Sequence, residues 1–143
     1  MRTCLVCRAP AETNLCEACA DDLDAPTAFA VEQILSTTLR PADAALIDRW
    51  GRVHRLEAST AVGRVPTARG VAIMHGVVSR HHATLERGAD GTWTVHDRGS
   101  SNGTRRNDQP ITAPTALATG DRLTFGAVGL YFVRDDGRLV DAT

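Results

Sequence analysis

The sequence predicts an all-β fold. A sandwich of two antiparallel sheets spans residues 44–141, behind a small four-cysteine metal module and a short amphipathic helix. Three observations predict it. From residue 44 onward, apolar residues recur with period two in short runs broken by Gly, Asp and Asn turn signals, the pattern of half-buried strands. No second long helical pattern follows that could build a layered α/β fold. All four cysteines lie in the first nineteen residues, as two Cys-x-x-Cys pairs.

Composition bounds the function. A chain of 143 residues with 43% hydrophobic content supplies one ordinary domain with an appendage, and can bury a core. The net charge of −1 argues against a generally basic nucleic-acid binder. All 16 cationic residues are arginine. No apolar run approaches the roughly 18–20 residues of a membrane span. The opening "MRTCLVCRAP" lacks the apolar region of a secretory signal, so the chain reads as cytoplasmic and soluble.

The first module, residues 1–22, carries "CLVC" and "CEAC": Cys4, Cys7, Cys16 and Cys19. A Cys-x-x-Cys turn aims two sulfurs at one ion, and a second such turn across a short hairpin completes a tetrahedron at about 2.3 Å from zinc. Disulfides would need an oxidising compartment, and a redox pair normally opens a helix in a larger α/β fold. Zinc is therefore the expected ion, with iron the rival metal. With four thiolates and no open position the site is structural, and Arg2 and Arg8 can offset its negative charge. The module resembles the short zinc ribbons of bacterial proteins.

Residues 23–43 place Val31, Ile34, Leu35 and Leu39 on one helical face, with Asp24 and Pro26 suited to a start and Pro41 to a stop. This predicts a short helix over about 27–39. Thr37 and Thr38 sit at its end.

In the sandwich, "ALIDRWGRVHRLE" reads as two strands around a turn near Trp50-Gly51. "VAIM", "HATLER" and "TWTVHD" follow, the last two joined by the hairpin turn "GADG". "DRLTFG" and "GLYFVRD" come next, and "RLVDA" suits a last short strand.

The stretch "SRHH" raises the question of catalysis. In an extended strand, Ser79 and His82 are three apart and point to opposite faces. No helix start supplies an oxyanion hole, and His81, His82 and His96 have no acidic or thiol partner at ligand spacing, so no enzyme is expected. Gly63-Arg64, then Ser79 and His82, then Asp97, Ser100, Asn102, Gly103 and Thr104 make a spaced constellation instead. As "GR", "SRHH" and "DRGSSNGT" it resembles the signature of the forkhead-associated (FHA) domain, and "LATGDRLTFG" is similar to that family's late Gly-Asp turn.

The resemblance implies a β-sandwich of about eleven strands that reads phosphothreonine in partner proteins. Arg64 then supplies a planar, permanently charged fork for phosphate oxygens. Ser79 adds a hydroxyl and Arg80 a second cation. Ser101 and Asn102 take the loop positions that meet the peptide, with Ser101 standing where the family often has threonine. By the same resemblance His82 ties loops together, Gly63 and Gly103 serve backbone conformations, and Asp97 and Thr104 brace the loop. Arg98, Arg105 and Arg106 widen the positive field, and the segment "VPTARGVAIMHGV" over residues 65–77 carries sequence preference.

The expected function is thus a phosphothreonine-dependent adaptor in bacterial Ser/Thr kinase signalling, with no membrane partner and no small-molecule substrate. Two rival readings stand beside it. In one, phosphorylated Thr37 or Thr38 folds into the chain's own pocket, helped by a high effective concentration. In the other, a zinc module binds nucleic acid and the sandwich only docks or dimerises. Residues 1–24, with two arginines, five acids and no aromatic residue, are poor material for that.

Overall fold

A computed structural model of the chain describes residues 2–23, 34–36, 44–65 and 70–134. Two six-stranded sheets face each other. The first contains β4 (Ala44–Ile47), β5 (Val53–Arg55), β10 (Thr104–Arg106), β11 (Gln109–Pro110), β13 (Asp121–Phe125) and β14 (Val128–Arg134), in the order β11-β10-β13-β14-β4-β5. The second contains β3 (Ile34–Ser36), β6 (Ser59–Gly63), β7 (Val71–Ile73), β8 (Ala83–Arg87), β9 (Trp93–Asp97) and β12 (Thr115–Leu117), in the order β12-β9-β8-β6-β7-β3. No helix among the described residues is long and apolar enough to cross a membrane.

Alternation along the strands places one core between the sheets. Leu46, Val62, Ile73, Leu85, Trp93, Val95, Leu123, Phe125, Leu130 and Phe132 meet there. Strands β4 and β14 are buried on both faces, so they read as unbroken apolar runs. Their second face, Ala45, Ile47, Tyr131 and Val133, is covered by the front of the chain.

That front consists of a two-stranded hairpin, β1 (Arg2–Thr3) with β2 (Pro10–Ala11), and a five-residue helix α1 (Glu17–Asp21) capped by Cys16. Leu5, Leu15 and Leu23 pack on the sheet beside Cys4 and Cys19. Three polar bonds pin the contact: Tyr131 OH donates to Cys19 O (2.8 Å), Asn14 Nδ2 to Gly51 O (2.9 Å), and an Arg122 guanidinium nitrogen to Asp22 O (3.2 Å). At the neighbouring turn, the buried Asp48 carboxylate accepts from the N–H groups of Trp50 and Arg52, from Arg52 Nε and from His54 Nε2.

The structure departs from the sequence expectation in two places. Residues 34–36, expected in a helix over 27–39, form β3 and pair antiparallel with β7. A helix of this length is marginal alone, and the open edge of β7 offers backbone partners that outweigh local periodicity. The rest of that expected helix, Thr37 and Thr38, and the strand expected at "RLVDA" lie outside the described residues. Second, not every pair is antiparallel, because β6 and β7 run parallel, Val62 opposite Val71. The antiparallel partner of β6 is β8, so the intervening strand takes the other side in the same direction as β6.

Direction matters for the site. Strand β6 ends, β8 begins, β9 ends and β10 begins at one tip of the sandwich, beside the β13–β14 turn. Strand β3, antiparallel to β7, runs away from that tip and finishes at Ser36.

Candidate functional site

Four connections meet at the tip, and the short segment Val77–Ser79 joins them. Arg64 leaves β6 and its N–H donates to Ser79 O (3.0 Å), while its Nε donates to Val78 O (3.2 Å). From the loop after β9, the Ser101 N–H donates to Ser79 Oγ (2.9 Å) and Asn102 Nδ2 to Val77 O (2.8 Å). Arg64, Ser79, Ser101 and Asn102, up to 38 residues apart in the sequence, are thus brought together.

The bonding leaves donors unspent. Arg64 spends only Nε, and its two terminal nitrogens meet no acceptor among the described residues. Ser79 Oγ accepts from Ser101, so its own proton remains to be donated. Ser101 and Asn102 are exposed, and Asn102 keeps its carbonyl oxygen. A guanidinium fork, a hydroxyl and a carboxamide around one mouth can hold a tetrahedral anion attached to a peptide. Arg80 is exposed one residue beyond Ser79.

His82 stands behind this mouth, fully buried. The chain turns at Arg80 and His81, and the ring folds back so that Nδ1 accepts from the Ser79 N–H (3.0 Å). Nε2 therefore carries the hydrogen and donates to Gly103 O (2.8 Å), while the ring meets Phe125 edge-on. Burial pushes the His82 pKa below the usual 6.5, against the opposing pull of Gly103 O and Asp97. The unfolded chain takes up this proton near pH 6.5 whereas the folded one takes it up only at lower pH, so this contribution to stability falls as pH drops through that window. At about pH 7, 15N NMR of the ring is expected to show a neutral imidazole protonated at Nε2. A cationic ring there contradicts the assignment.

Asp97 organises the loop that carries Ser101 and Asn102. Its carboxylate accepts from Ser100 Oγ (2.6 Å), Thr104 Oγ1 (2.7 Å) and the N–H groups of Gly99 and Ser100. Partial burial works against the charge, but these bonds outweigh it and hold the pKa below the ordinary carboxylate value. Ser100 Oγ in turn accepts from the Gly103 N–H (3.0 Å), and Gly103 has φ +82°.

Gly63 is placed by close approach. A Cβ on it would run into the Arg80 carbonyl oxygen, a backbone atom that cannot move aside cheaply. Gly63→Ala is expected to displace the Ser79–Arg80 turn and cost about 1–3 kcal/mol in thermal unfolding; an unchanged midpoint would contradict the geometry.

Two residues of this arrangement carried no sequence signal, and a third only a weak one. The Val77 and Val78 carbonyls act through the backbone alone. The Gly126 N–H also donates to Gly103 O (3.0 Å), and only the Gly at a β-turn hinted at it. Arg105 and Arg106 sit on β10, where Arg106 Nε is held by Asp121 (2.8 Å).

This site lies inside a stretch that matches a family model: residues 60–126 match the FHA domain. The chain carries an FHA domain. Among solved structures, it is similar to Mycobacterium tuberculosis EmbR in complex with a low-affinity phosphopeptide, at 26% identity and TM-score 0.63. That match covers 77% of this chain but 29% of the EmbR chain, so the chain spans less than a third of that relative's length. A structure from an analysis of phosphothreonine-dependent FHA domain interactions matches at 28% identity and TM-score 0.56, over 64% of this chain and 94% of that one. The FhaA FHA domain complexed with the intracellular domain of Rv3910 matches at 29% identity and TM-score 0.54, over 62% and 96%. Among curated proteins none matches the chain significantly.

Away from the FHA tip, the four sulfurs of Cys4, Cys7, Cys16 and Cys19 lie within 4.8 Å of one another, Cys7 and Cys16 at 3.5 Å. Ligands about 2.3 Å from a common centre sit about 3.8 Å apart in a tetrahedron, so the set fits one ion. Burial opposes a charge on Cys4, yet backbone hydrogen bonds from Cys7, Cys16 and Val6 outweigh it and bring the thiol down to about 6. Burial and the three neighbouring sulfurs push Cys19 up. The four sulfurs are compatible with a zinc site.

Proposed function

We propose that this chain is a phosphothreonine-dependent protein-binding adaptor in bacterial Ser/Thr kinase signalling. Arg64, Ser79, Arg80, Ser101 and Asn102 touch the ligand in this reading, and Gly63, His82, Asp97, Gly103 and Thr104 shape the loops. The observation that carries it is the joining of Arg64 and Ser79 at one mouth, backbone N–H to carbonyl at 3.0 Å, with unspent donors on both. EmbR, similar over 77% of this chain, is solved with a phosphopeptide, and a relative at 28% identity belongs to phosphothreonine-dependent interactions. A phosphate near pH 7 carries about −1.5 to −2 charge and three acceptor oxygens, which these donors complement. Three or four charge-assisted bonds at about 1.5–3 kcal/mol each support micromolar binding, about −8 kcal/mol.

Residues 1–22 form a structural zinc ribbon in the same proposal, 23–43 a connector, and 44–141 the FHA sandwich. The exposed acids Glu12, Glu17, Asp21 and Asp22 disfavour a polyanionic partner for the ribbon. Calorimetry with a phosphothreonine peptide library tests the reading. Binding is expected for phosphothreonine peptides and lost on dephosphorylation; equal binding of the unphosphorylated peptides would refute it.

A further inference from the structure

A groove of about 550 Å³ runs down the outer face of the second sheet from the FHA tip. Its floor is the cross-strand pairs Ala61–Thr84 and Ser59–Glu86 of β6 and β8. Small side chains on β6, ending at Gly63, leave a furrow about 13 Å long at about 3.3 Å per residue, room for about four residues of extended peptide. Its head, beside the phosphate mouth, holds Arg80, His81 and Arg98, all exposed. Among the described residues neither guanidinium meets an acceptor. The Arg98 N–H donates to His82 O (2.9 Å), so its backbone is tied to the same scaffold as Ser79. Among the described residues the one acid lining the groove, Glu86, stands at the far end near His96 (3.9 Å).

Two unspent cations at the head of a furrow that opens from an anion site make a polarised surface. We propose that this groove is a second anion subsite. It receives the chain flanking the phosphothreonine of the same partner, and Arg98 with Arg80 selects an anionic side chain there, a carboxylate or a second phosphate. The inference rests on the phosphothreonine reading and adds to it a preference for partners charged twice over a few residues.

Arg98 is outside the primary mouth, so it separates the two ideas. Fluorescence anisotropy would compare three peptides: one phosphothreonine with neutral flanks, the same with two aspartates on each flank, and the same with a second phosphoresidue. The acidic-flank and doubly phosphorylated peptides are expected to bind the native protein about tenfold tighter than the neutral one, one charge-assisted bond's worth. Arg98→Ala should remove that gain while weakening the neutral peptide no more than Arg49→Ala does, and Arg49→Ala, which deletes a charge elsewhere, should preserve the gain. A gain in only one of the two peptides identifies the source as carboxylate or phosphate. Equal affinity of all three for the native protein overturns the subsite, as does a gain that survives Arg98→Ala or that falls equally in Arg49→Ala. Should none of the peptides depend on its phosphothreonine, the primary reading fails instead.

Discussion

Arg64→Ala is expected to weaken binding of a phosphothreonine peptide by at least about 100-fold in calorimetry. Two charge-assisted bonds at about 1.5–3 kcal/mol each are lost, and tenfold corresponds to about 1.4 kcal/mol. Stability should change little. The side chain is only half-buried, and its one internal bond runs from Nε to Val78 O at 3.2 Å. Arg64→Lys should fall between the two, because an ammonium keeps the charge and loses the fork. An alanine variant that binds like the native protein, with unchanged thermal unfolding, would remove Arg64 from the site.

Metal removal should cost the sandwich stability as well as the cysteine module. The cysteine module covers Ala45, Ile47, Tyr131 and Val133 on the outer face of β4 and β14. Exposing Ile47, Tyr131 and Val133 alone costs about 1.5–3 kcal/mol each, a large part of the roughly 5–15 kcal/mol that holds a domain together. Chelation, or Cys19→Ser, is therefore expected to lower the midpoint of thermal unfolding of the whole chain by at least about 10 °C. The loss should be accompanied by release of one equivalent of zinc. A chelated protein that melts at the native temperature would show that the cysteine module and the sandwich are energetically separate.

The site was more legible in the sequence than the fold around it. Gly63, Arg64, Ser79, Asn102 and Gly103 are residue types whose chemistry or backbone freedom is specific, so a sparse pattern sufficed. Strands β4, β5, β7, β8, β9, β13 and β14 showed because apolar side chains alternate or run unbroken there. Strand β6, "STAVG", did not show, since its outward positions Ser59 and Ala61 are small and its inward Thr60 is polar. Strands β10, β11 and β12, two or three residues each, are too short for periodicity to register. Strand β3 read as helix because Ile34 and Leu35 fit a helical face in sequence, while the β7 edge that recruits them lies 37 or more residues later. The docking of the cysteine module was equally hidden: Tyr131 reaches Cys19 across 112 residues, and no local pattern carries such a pairing.

Amide and arginine-side-chain NMR during titration with a phosphothreonine peptide tests the central claim most directly. The account predicts that the largest shifts fall on the terminal guanidinium N–H groups of Arg64, on Ser79 and Arg80, and on Ser101 and Asn102, while signals from the cysteine module and from the far ends of the strands stay in place. Shifts centred on the module, or terminal Arg64 N–H signals that do not move at saturation, would contradict it.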